Sequence, residues 1–145
     1  MKTIKICDKE YDIDCNAFTY VQYKNIFGKG IFSDIQIIKT FFAEQSKTIL
    51  DLKENGFDNE KIEKELNKCM LNNIDDFVEA ITRLAYIFIY TANSKIENYE
   101  KFLKEIPKLS IDDEWVIEVT EFAVEKFCWW GSIQRIWKNT KFREW

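Results

Sequence analysis

The chain has 145 residues, 46% hydrophobic and 16% aromatic, with one proline and four glycines. That composition excludes a disordered or low-complexity chain and fits one domain built from long helices. There is no histidine, and the net charge of −4 divides into +4 over residues 126–145 and −8 over the body, so the commonest general base and transition-metal ligand is missing and the body repels nucleic acid.

The opening segments KTIKIC and EYDIDC alternate apolar with polar positions around Asp8 and Lys9. The pattern predicts a β-hairpin with Asp8-Lys9 as its two-residue loop, placing Ile6 opposite Tyr11 and Ile4 opposite Ile13. A lone two-stranded hairpin is marginal in water, so its apolar face must lie on helices. Asn16 is placed to cap a first helix running to Phe27, with Gly28 as its stop. Ser33 can cap a second helix up to Asn55-Gly56, in which Ile35, Ile38, Phe42, Ile49 and Leu52 keep helical spacing, with a break near Gln45-Ser46. Asp58 then opens a charged surface helix whose apolar stripe is only Ile62, Leu66 and Cys69.

The most apolar stretch, IDDFVEAITRLAYIFIYTAN, places Phe77, Ile81, Leu84 and Phe88 on one face and Val78, Ala85, Ile89 and Ala92 on the next. Apolar over most of its girth, it is expected to be the central helix. A short helix over NYEKFLKEI ends before Pro107. Ser110 with Asp113 resembles a capping box opening a last helix from about Ile111 to Phe127. The expected fold is mainly α: a helical bundle with a short N-terminal β-hairpin at residues 2–15. A single domain spans 1–127, and a basic, Trp-rich arm spans 128–145. No stretch approaches the ~20 apolar residues of a membrane span and no secretory leader opens the chain. The four cysteines, Cys7, Cys15, Cys69 and Cys128, form no C-x-x-C pair. Both features point to a reducing, cytoplasmic setting.

Three features bear on chemistry. Gly28-Lys29-Gly30 lacks the third glycine and the Lys-Ser/Thr ending of a phosphate loop, and reads as a turn. Without histidine, a cysteine nucleophile would need another activator, so Cys7, Cys15 and Cys69 read as small buried hydrophobes. Glu114, Glu118, Glu121 and Glu125 fall within about 60° on a helical wheel. This stripe lacks the Glu-x-x-His partners of a dinuclear metal site. It is either a solvated face or the contact for a basic partner, which would offset the mutual repulsion of about 0.2–0.5 kcal/mol per pair. Opposite it, Trp115, Val116, Val119, Phe122, Ala123 and Phe127 form a wide apolar arc.

The segment CWWGSIQRIWKNTKFREW, residues 128–145, holds four of the five tryptophans. Ile133, Ile136 and Trp137 keep helical spacing, as in a short helix packed on the bundle. Trp129, Trp130, Trp137, Trp145 and Arg135 are equally the residue types of protein interface hot spots. Both readings stay open, ahead of a membrane-surface helix or a single-strand nucleic-acid contact. No catalytic residue, metal ligand or cofactor site emerges.

Taken in order, MKTIKICDKEYDIDCNAFTYVQYKNIFGKGIF, a charged middle, ITRLAYIFIYTAN and IDDEWVIEVTEFAVEKF resemble the tail assembly chaperones of phages and prophages in low-GC Gram-positive bacteria, particularly clostridial ones. The similarity covers residues 1–127 and rests on hydrophobic and aromatic positions. It implies a non-enzymatic protein of the bacterial host cytoplasm, often oligomeric. Such a protein binds the tape measure protein, keeps it soluble and helps tail tube protein assemble around it. The resemblance also implies that a programmed frameshift can yield a second, longer form. The competing expectation is a small helical regulatory or anti-host interaction protein encoded by a phage or prophage.

Overall fold

A computed structural model describes residues 2–127. Two antiparallel strands, β1 (Lys2–Ile6) and β2 (Lys9–Ile13), precede five helices: α1 (Ala17–Phe27), α2 (Ile31–Glu54), α3 (Asn59–Ala92), α4 (Tyr99–Lys104) and α5 (Glu114–Lys126). The fold is mainly α with an N-terminal hairpin, as the patterning predicts.

The hairpin register differs from expectation. Ile4 pairs with Tyr11 and Ile6 with Lys9, so the two-residue loop is Cys7-Asp8, one position earlier. Cys7 takes a left-handed φ of 55°, the backbone sign such tight loops require. Cys7 is therefore exposed at the tip rather than buried. The register moves by two residues, which preserves the faces, and Ile4, Ile6 and Ile13 are all buried. The apolar face lies on α3 and α5, and the Asp14 N–H donates to the Phe88 carbonyl of α3 at 3.1 Å.

α1 forms where its signals place it. The Asn16 side chain accepts from the Phe18 N–H, the Thr19 hydroxyl accepts from the Asn16 N–H, and Gly28 closes the helix at φ 72°. α2 starts at Ile31 behind Gly30, two residues ahead of Ser33, and runs unbroken through Gln45-Ser46. The charged helix and the apolar helix are one 34-residue helix, α3. Neither Gly nor Pro lies between Cys69 and Ile74, and changing polarity alone does not interrupt backbone hydrogen bonding. α5 begins at Glu114, later than Ile111, because Ser110, Asp112 and Asp113 close a turn of their own.

The core forms around the C-terminal half of α3, where Phe77, Ile81, Leu84, Ile87 and Phe88 are fully buried. Each such side chain contributes about 1.5–3 kcal/mol. α1, α5 and the hairpin pack around this half, as do Phe102 of α4 and the first turns of α2. Beyond the stacked Phe41 and Phe77 rings, 4.4 Å apart, α2 and α3 continue as a two-helix arm with a thin seam. No helix among the described residues is long and apolar enough to cross a membrane.

Candidate functional site

A concave surface opens near the base of the arm. Ile37 and Phe41 of α2 floor a cleft of about 170 Å3, rimmed by Gln36, Thr40 and Glu44 of α2 and by Asn73 and Asp76 of α3. The Asn73 amide donates to Glu44 at 2.6 Å across the rim. Small-molecule pockets run about 300–1,000 Å3, so this cleft suits one or two apolar anchors of a larger partner. On the arm's other surfaces Phe42 is 43% exposed, Leu50 59% and Leu71 72%. Inside the seam, Gln45 and Thr48 donate to the Cys69 sulfur at 3.9 and 3.6 Å, and Gln45 Oε1 is buried with no hydrogen-bond partner among the described residues. The lapse of apolar spacing at Gln45-Ser46, which predicts a break, is a change from full core to a thin, partly polar seam.

The predicted acidic stripe exists on α5. Glu114, Glu121 and Glu125 are exposed and Glu118 is half-buried. Opposite them Trp115, Val116, Val119, Phe122, Ala123 and Phe127 are buried, as the apolar arc requires. Glu114 and Glu118 edge a shallow cleft of about 160 Å3 shared with Trp115 and with Thr3, Ile4, Lys5 and Glu10 of the hairpin. Among the described residues none of the four stripe glutamates forms an ion pair. Trp129, Trp130, Arg135, Trp137 and Trp145 lie outside the described residues.

A third feature is buried charge. Asp34 of α2 is fully buried and is the meeting point of four donors. Arg83 of α3 donates from Nε to Oδ2 at 2.8 Å and from Nη2 to Oδ1 at 2.9 Å. Lys29 Nζ meets Oδ1 at 2.9 Å, and the Tyr23 hydroxyl of α1 donates to Oδ2. Burial alone would raise the Asp34 carboxyl, but the bonds from Arg83, Tyr23 and Lys29 outweigh it and hold the group below its ordinary value. Burial, then the Asp34 bond, pushes the Tyr23 hydroxyl up. The Asp34 bond likewise raises Arg83. With both carboxylate oxygens doubly engaged, Asp34 has no lone pair free to take a proton from a substrate. Its geometry pins the start of α2 to α1 and α3.

Sequence reasoning passes over this cluster, although a signal exists. Ile31, Asp34, Ile35, Ile38 and Phe41 share one helical stripe, and Arg83 interrupts the apolar run of α3. Opposite charges inside two apolar stripes are expected to meet. Gly28-Lys29-Gly30 is a turn, and its lysine is engaged by Asp34. Cys15 is half-buried, and burial raises its thiol. Cys69 is also half-buried, and Cys128 lies outside the described residues. Among the described residues no cluster of three or more Cys, Asp or Glu could hold a metal ion.

Comparison of the chain with protein-family models, with curated proteins and with solved structures finds no match.

Proposed function

We propose that the protein is a non-enzymatic phage tail assembly chaperone, acting in the bacterial host cytoplasm. It binds the tape measure protein, keeps it soluble and promotes tail tube assembly. The observation that carries this reading is the base of the arm, where Ile37 and Phe41 form an apolar cleft rimmed by Glu44 and Asp76. An amphipathic helix docks on such a surface by seating apolar residues at i, i+3 or i+4. Lysines or arginines flanking those anchors meet the acidic rim. Tape measure chains are long and helical in the family the sequence resembles, so one protein would cover many successive turns by binding in several copies. Self-association, contact with the tail tube protein and a frameshifted longer form belong to the same proposal.

The acidic stripe on α5 supports the reading as a second basic-partner contact. Co-expression with a tape measure protein tests the proposal. A soluble tape measure protein that co-elutes with this chain is expected. If the tape measure protein stays insoluble and no complex elutes, the reading fails.

A further inference from the structure

We propose that the outer edge of β1, with Glu114 and Glu118 of α5 beside it, takes up an extended basic segment of another protein as a third strand. The hairpin is a sheet of two strands, so one side of each strand has no ladder. Ile6 pairs with Lys9 next to the two-residue loop, Ile4 with Tyr11 and Lys2 with Ile13. Hydrogen-bonded pairs alternate with unbonded ones along such a ladder, so the N–H and C=O groups of Thr3 and Lys5 point away from β2. Among the described residues none of these four groups is hydrogen-bonded. The other side of the hairpin is fastened, because Asp14, just past β2, donates its N–H to the Phe88 carbonyl of α3.

The free edge borders the shallow cleft of about 160 Å3 that Thr3, Ile4 and Lys5 share with Glu114, Trp115 and Glu118. A row of unpaired amides beside open space is a template for one more strand, with backbone bonds supplying affinity and alternate side chains supplying choice.

Charge selects the occupant. Lys5 stands across the ladder from Glu10, which offsets it, whereas Glu114 and Glu118 form no ion pair among the described residues. Bases on an incoming strand would meet them. The spacing agrees, since one helical turn separates the two glutamates by about 6 Å along α5 and every second residue of a strand advances about 6.7 Å. The occupant is therefore a segment with Lys or Arg at positions i and i+2, both turned toward α5. A second copy fits less well: α5 packs on β1, so pairing β1 with β1 about a twofold axis sets one acidic stripe near the other. The inference does not depend on the proposed function, in which a helix docks on the arm.

Fluorescence anisotropy of the full chain with the labelled, end-blocked peptide TVKVKVT tests it. Binding should protect the Thr3 and Lys5 amides from hydrogen exchange. Glu114→Gln with Glu118→Gln should weaken it about tenfold or more. Thr3→Pro deletes an outward N–H but none of the bonds to β2, and should weaken it as well, with thermal melts checking that the variant folds. Methylating the peptide's valine amides, or instead its lysine amides, should abolish binding in one case, because only one set faces β1. That comparison decides the matter even if Thr3→Pro does not fold. The proposal is overturned if nothing binds at ~1 mM peptide, if TVKKVVT, whose lysines point to opposite faces, binds as tightly, or if both methylated peptides still bind. A protein that sediments as a dimer, with Thr3 and Lys5 already protected, would overturn it in favour of a second copy.

Discussion

Arg83 grips Asp34 through two nearly parallel hydrogen bonds, 2.8 and 2.9 Å long, across 49 residues of sequence. Removing one member of a buried pair strands the other, which costs about 3–5 kcal/mol. Arg83→Met should lower unfolding free energy by about 3 kcal/mol in urea titration, since Lys29 and Tyr23 still reach the carboxylate. Asp34→Leu with Arg83→Met, which removes both charges, should recover part of that loss.

The same carboxylate sets a pH dependence with a definite sign. Its folded-state value is lowered, so its contribution is complete above the ordinary carboxylate value and drains away as pH falls through the lower, folded-state value. Asp34→Asn should therefore flatten the acid limb of the stability curve, below about pH 4. Stability at pH 7 should fall as well. Equal acid sensitivity in both proteins would show that other carboxylates dominate.

Phe77 is fully buried between Phe41, stacked at 4.4 Å, and Phe42, edge-on at 5.6 Å, where the body gives way to the arm. Phe77→Ala should cost about 3–5 kcal/mol. Hydrogen exchange should show the lost protection concentrated in α2 and α3 on either side of this position.

Gly28 closes α1 at φ 72°, and a Cβ there would meet nothing within 4 Å. The cost of Gly28→Ala is thus conformational alone, about 1 kcal/mol. Gly30 caps α2 with no side-chain hydrogen bond, so Gly30→Ser should stabilise by a few tenths of a kcal/mol. Thermal melts of the two variants should shift in opposite directions.

Glu118 stands between Glu114 and Glu121 on α5, one helical turn from each. Glu118→Lys turns those repulsions into attractions, at about 0.2–0.5 kcal/mol per pair. The free protein should melt higher. If the stripe receives a basic partner, the same change should weaken the complex with the tape measure protein, as should Glu44→Lys at the arm cleft. Undiminished binding by both variants would remove acidic recognition from the proposed function.

Much of the fold was written in local signals. The hairpin alternation, Asn16 and Gly28 around α1, Asn55-Gly56 after α2 and the apolar arc of α5 all act within a few residues, where side chain and backbone are already neighbours. The α5 stripe was legible for the same reason, because helical periodicity alone aligns four glutamates. Where expectation and structure part, the cause is in places local as well, as in the Ser110, Asp112 and Asp113 turn that delays α5. Polarity change near Ile74 resembled a boundary, yet α3 continues because neither Gly nor Pro lies between Cys69 and Ile74 to interrupt it. The loop sits at Cys7-Asp8 in a register two residues from the expected one; both registers turn Ile4, Ile6 and Ile13 to the same face, so alternation alone does not choose between them.

The sequence by itself determined that the chain is mainly helical behind an N-terminal hairpin, which face of α5 is apolar, and that the acids gather on its other side. Only the tertiary structure decided that Asp34, Arg83, Tyr23 and Lys29 share one buried site and that Phe41 meets Phe77. It likewise decided that an acid-rimmed cleft opens at the base of the arm. Periodicity is a property of one element at a time. Where a carboxylate finds its guanidinium, or a ring finds its stacking partner, depends on how two elements pack, and no single stretch of chain carries that information.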